Sequence, residues 1–191
     1  MRPILLLLVC LANLKVLSQG NPAQEGKVLL EQSRQLRKGQ KPAEAMVAAR
    51  AALGLLKKAD SPALLGQAYF NLSEQYSGNF ADTTIHIRHA YLDSATGPLK
   101  AAGRIELLAE SYRLMADLDH LISQLDKALQ EANVALRYYE SIHYVPMQGI
   151  YVLFAKLHYI RGDYQQSLQY GLKALERAEA TKDSSMRLCE I

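Results

Sequence analysis

Large and small side chains recur along this chain at the spacing of an α-helix, and that recurrence restricts the fold more than any single motif. It is clearest near the end. Tyr151, Phe154, Ala155 and His158 follow a large-x2-large-small-x2-large order, and Ser167, Gly171 and Ala174 form a spaced set of small residues after them. The first set places bulky groups on one helical stripe, with a small group where a neighbouring helix approaches. The second set lets the return helix pack closely against the first. Gly162 ends the first helix and Asp163 caps the second, while Tyr151 and Tyr164 take core positions.

Three earlier segments fit the same frame. Leu29, Ser33 and Leu36 precede Ala45, Ala49 and Ala52; Tyr69, Leu72, Ser73 and Tyr76 precede Thr83, Ile87 and Ala90; Ile105, Leu108, Ala109 and Tyr112 precede Ala128, Ala132 and Ala135. The step from the first small residue to the second is 12 in the two end repeats, 10 in the second and 19 in the third. The extra residues in the third repeat predict longer helices there, by about two turns. Ala49, Ala135, Ala155 and Ala174 are expected to be buried at helix contacts. Helices are expected over 24–38, 42–58, 62–77, 81–95, 99–117, 120–140, 147–161 and 164–181, with Gly97 and Pro98 read as a linker. Composition agrees, since 32 Leu and 25 Ala stand against 11 Gly and no Trp, which favours helix and excludes all-β classes. The fold class is all-α, an α-solenoid of about four antiparallel helix-turn-helix repeats.

From Pro22 to Thr181 these residues resemble the tetratricopeptide repeat, most closely in the fourth unit. Departures are the missing Trp, the missing terminal Pro, and repeat spacings of 38, 45 and 39 residues in place of the usual ~34. Longer units of this kind are similar to the extracytoplasmic repeat regions of Bacteroidetes sensor histidine kinases and regulators. The resemblance implies a concave groove for a protein or peptide partner, lined by the first helix of each pair. By that analogy the groove positions are Arg34 and Arg37, Phe70 and Glu74, Glu106, Glu110 and Arg113, and Val152, Lys156 and Tyr159. The carboxylate clamp of chaperone-binding members is not implied, since only Asn71 matches it.

Residues 1–18 read as a signal peptide: Arg2, an apolar run from Ile4 to Leu14, and cleavage after Ser18. A run of 11 residues is too short to span a bilayer, and Lys15 interrupts it. The expectation is an exported, periplasmic protein whose repeat domain covers 19–183, with a further helix beginning in 184–191. Any membrane association would come through the leader or a following C-terminal region. Without Arg2 and Lys15 the formal charge of +3 falls to about +1, so no basic stripe remains to follow phosphates and no nucleic-acid partner is expected.

Catalytic signatures are weak. His86 and His89 sit three apart on a helix, but no acidic pair or second cysteine accompanies them at ligand spacing, so they read as a solvated face. Asp117, Asp119 and His120 read as capping groups at a helix junction. The Asn71-Leu72-Ser73 sequon falls inside a helix and reads as incidental. Gly103 and Gly162 stand alone, outside any phosphate loop, and Cys189 reads as structural. Tyr138, Tyr139, Tyr144 and Tyr159 are interface candidates. The reading is a non-enzymatic interaction module without cofactor or metal, the N-terminal part of a signal-transduction protein. The alternatives are a stand-alone periplasmic adaptor, or the front of an enzyme such as a histidine kinase.

Overall fold

Pro22, Pro42 and Pro62 each occupy the first turn of a helix, where the missing N–H has no intrahelical partner to lose. The computed structural model describes residues 21–181; the expected signal peptide and the helix start at 184–191 lie outside them. Eight helices follow in order: α1 (Pro22–Lys38), α2 (Pro42–Leu56), α3 (Pro62–Gln75), α4 (Asp82–Ala101), α5 (Ile105–Leu121), α6 (Leu125–Ser141), α7 (Gln148–Arg161) and α8 (Tyr164–Thr181). Among the described residues there is no strand, and no helix is long and apolar enough to cross a membrane. The helices form four antiparallel hairpins, α1/α2, α3/α4, α5/α6 and α7/α8, and the second helix of each leans on the first of the next. First helices also touch, α1 with α3 and α5 with α7, which makes them the inner row of a tetratricopeptide-like solenoid.

Packing shows a more regular repeat than the sequence spacing suggested. In α4 the residues expected inside, Thr83, Ile87 and Ala90, are exposed, while Ile85, Leu92, Ala95 and Leu99 are buried. In α5 the small residue next to the turn is Ala116, fully buried with Ala128 in one cluster. The pairs Ser33 and Ala45, Ser73 and Ile85, Ala116 and Ala128, and Ala155 and Ser167 are then all 12 residues apart. The expected longer third hairpin is therefore absent, and α5 and α6 have 17 residues each.

In the first three hairpins a second close approach lies seven residues before the small residue. A Cβ on Gly26 would meet Leu56 Cγ at 2.5 Å, and one on Gly66 would meet Leu99 Cγ at 2.6 Å. Ala109 holds this place in the third hairpin, fully buried. A shift of seven residues, about two turns, keeps a residue on the same face. Ala109 and Ala116 therefore both satisfy the helical spacing, and Ala116 is the one next to the turn.

Helix ends repeat as well. The N–H groups of Lys41, Arg104, Gln124, Tyr144 and Asp163 each bond the carbonyl five residues back, over 2.8–3.0 Å. Each follows a left-handed residue: Gln40, Gly103, Ser123, His143 or Gly162. This is the Schellman ending. Only two of the five are Gly, so the turn at 122–124 carries no glycine signal, and the junction expected near Asp117 lies inside α5. Helix α4 runs through Pro98, contrary to the expected linker, because Leu99 and Ala95 are buried against Leu108 beyond it. Gly97, lacking a Cβ, relieves the clash that Pro imposes on a helical predecessor.

Ala49, Ala135 and Ala174 are buried, but Ala155 is only half-buried, since no described helix covers the outer side of the fourth hairpin. Tyr164 is exposed, and Tyr170 takes the expected aromatic place by stacking on Phe154 at 4.8 Å. Cys189 lies outside the described residues.

Candidate functional site

The inner helices leave two open hollows that share Glu110, Tyr139 and Tyr144. The first, of about 600 Å³, lies between α1 and α3 on one side and the start of α5 on the other, with Arg34, Gln67, Arg104 and Glu106 at its walls. The second, of about 540 Å³, lies between α5 and α7 and is walled by Arg113, Asp117, Val152 and Lys156. Together they make one trough along the inner row.

Between the hollows a half-buried polar knot forms the floor. Arg113 grips Glu110 with two bonds, Nε to Oε2 at 2.8 Å and Nη2 to Oε1 at 2.6 Å. The buried Tyr139 hydroxyl donates to the same Oε2 at 2.6 Å. Burial, then the Glu110 carboxylate, pushes the Tyr139 phenol well above its ordinary pKa. Burial opposes the charge on Arg113, but the hydrogen bonds and attraction of Glu110 outweigh it and raise its pKa. Tyr144 stacks on Tyr139 at 4.7 Å, and its pKa is raised by burial and by Glu106 and Glu110. Farther along, Lys156 Nζ reaches Asp117 Oδ1 at 2.6 Å across the α5/α7 gap. Burial and the Lys156 charge lower the pKa of His120 beside them.

The candidate residues divide accordingly. Arg34, Glu106, Glu110, Arg113, Val152 and Lys156 line the trough. Arg37 is turned to other work, donating to the Glu74 carbonyl and to Ser77 Oγ, which ties α1 to the end of α3. Phe70 packs half-buried among Met115, Leu99 and Leu108. Tyr159 is exposed but lines neither hollow, and meets Tyr164 of α8 edge-on at 5.6 Å. Tyr139 contributes its hydroxyl edge rather than an exposed ring, and Tyr138 is half-buried against Tyr112. Tyr144, an interface candidate from the sequence, and Asp117, expected there to cap a helix, also line the trough. Counting from Ala116 rather than Ala109 puts Asp117 at the groove position after the small residue.

The other candidate groups are placed differently from their sequence reading. Asp119 does not cap: it is buried inside the last turn of α5 and engages Lys127. His89 is not on a solvated face, since its ring is 20% exposed and lies beside Asp119 and Glu131. His86, by contrast, is exposed. Asn71 is buried, with Oδ1 3.0 Å from Ser33 Oγ, so the sequon is closed to a glycan in the folded chain.

Solved structures match this arrangement. The aspartyl phosphate phosphatase F of Bacillus subtilis aligns over 86% of this chain with a TM-score of 0.76 and 15% identity. The apo form of RapI aligns over 91% with a TM-score of 0.79 and 14% identity. The likeness is one of fold. This chain spans 43% of the first protein and 62% of the second. No protein-family model and no curated protein matches it.

Proposed function

We propose that this chain is a non-enzymatic protein-interaction module that takes an extended polypeptide along the inner trough. The observation that carries this reading is the continuity of the two hollows over a shared, hydrogen-bonded floor. A peptide laid across them would meet alternating charge, with Arg34 and Arg104 near Glu106, then Lys156 near Asp117. Tyr144 offers it an aromatic face at the centre. Fixed polar groups and a preformed concavity lower the ordering cost of such binding.

The setting we propose is extracytoplasmic, as the N-terminal part of a signal-transduction protein; the short apolar leader with Ser18 supports export. That one structural neighbour is an aspartyl phosphate phosphatase supports a place in signalling for a scaffold of this shape. The test is selection of peptides from a random displayed library on the purified chain, followed by measurement on Arg104→Glu with Val152→Asp. Both side chains are exposed, so helicity and melting should stay as in the wild type. Binding should fall at least tenfold in the double variant. Equal binding would place the interface elsewhere, and turnover by the chain itself would overturn the non-enzymatic reading.

A further inference from the structure

Outside the trough, three helices bring together His89 from α4, Asp119 from α5 and Glu131 from α6, with one potential donor atom of each within 4.8 Å of the others. His89 Nε2 lies 3.4 Å from Asp119 Oδ1 and 3.4 Å from Glu131 Oε1. Donors arranged tetrahedrally on an ion with bonds of about 2.0–2.1 Å stand about 3.3–3.4 Å apart. Two edges of the triangle therefore already have the length that a bound zinc-type ion requires.

A second observation points to a cation at the same place. Asp119 is 1% exposed and accepts a hydrogen bond from Lys127 Nζ at Oδ1, 3.2 Å away, while the buried Oε2 of Glu131 accepts none. The Lys127 ammonium sits over the cluster, 3.0 Å from Asp119 Oδ2, 3.0 Å from His89 Nε2 and 4.0 Å from Glu131 Oε1. One positive charge thus faces all three donors, on a side chain that is 45% exposed and can swing away. With it displaced, a neutral imidazole and two carboxylates balance a divalent ion. The cluster opens into a surface basin bordered by His86 and Asp93, which supplies an entry path and room for a water as fourth ligand.

We infer that His89, Asp119 and Glu131 form a divalent transition-metal site of zinc type, for which Lys127 is the competing internal cation. The site joins the second and third hairpins, so the ion would clamp α4 to α5 and α6. Its donor set of one nitrogen and two oxygens suits Zn²⁺ and Co²⁺.

The experiment is titration of the tag-free full chain with Co²⁺ and then Zn²⁺, read by visible absorption and calorimetry. One Co²⁺ per chain should bind with d–d bands and no thiolate charge-transfer band, which separates this site from Cys10 and Cys189, and Zn²⁺ should displace it. His89→Gln should weaken binding by about 100-fold, His86→Gln should leave it unchanged, and Lys127→Met should tighten it by about tenfold. Circular dichroism checks that each variant is folded. On the wild-type protein, the ¹⁵N resonance of His89 Nε2 should shift on zinc addition, a readout independent of any variant. Binding retained by His89→Gln, weakened by Lys127→Met, or leaving the His89 resonance in place would overturn the assignment.

Discussion

Gly66 shows how closely single residues control this fold. A methyl group there would lie 2.6 Å from Leu99 Cγ and 3.1 Å from Leu99 N, and the backbone cannot rotate aside as a side chain can. Gly66→Ala should therefore destabilise by about 1–3 kcal/mol through overpacking. Gly54, in the interior of α2 with open space around it, should behave oppositely, and Gly54→Ala should stabilise by about 0.5–1 kcal/mol. Denaturant titrations of the two variants would check the pair; shifts of the same sign would contradict the close approach. Tyr139 makes a second case. Tyr139→Phe removes a buried donor to a carboxylate and should cost about 1–2 kcal/mol. The unfolded phenol ionises near 10, whereas burial and Glu110 hold the folded one neutral to higher pH. The stability this group supplies is complete below about pH 10 and is lost as pH rises toward the folded pKa. Unfolding midpoints measured through that range should fall less steeply in Tyr139→Phe than in the wild type, and parallel slopes would contradict the assignment.

At the scale of elements, the repeated Schellman endings make Ser123 the weak point of the α5/α6 turn. Its φ of 62° suits glycine, so Ser123→Gly should raise stability by about 1 kcal/mol, as thermal melts would show; a loss would mean that its side chain does more than turn the chain. The same residue explains what could be read in advance. Pro42 and Pro62 mark the starts of their helices, and Gly162 marks the end of α7, because those residue types have one dominant backbone use, whereas the first helix begins at Pro22, two residues before its expected start. Ser123 and His143 adopt the left-handed conformation only because the surrounding chain compels it, so the α5/α6 boundary moved by several residues. The heptad ambiguity between Ala109 and Ala116 kept the correct helix face while misplacing the turn. That is why Glu110 and Arg113 belong to the trough although their counted positions were wrong. Phe70 and Tyr159 lie outside the two hollows for another reason: groove-facing positions inferred by analogy ignore which neighbours fill the space, and Leu108 and Tyr164 do so here.

Across the whole molecule, the charges of the trough are largely matched within the chain: Glu110 to Arg113 and Tyr139, and Lys156 to Asp117. A double substitution at Glu110 and Lys156 would therefore disturb the floor as well as the surface, because it strands the buried Tyr139 hydroxyl. Binding tests belong on the walls. The three-helix cluster at His89 lies off this surface, so metal and polypeptide would act on different parts of the solenoid, the one clamping hairpins and the other lying along them. The measurement that bears most directly on the central claim is site-specific photo-cross-linking of a captured polypeptide, with the reactive side chain placed at Glu106, at Val152, and at Val47 on α2 outside both hollows. Adducts at Glu106 and Val152 without one at Val47 are the predicted result; an adduct at Val47 with none at the two trough positions would contradict it.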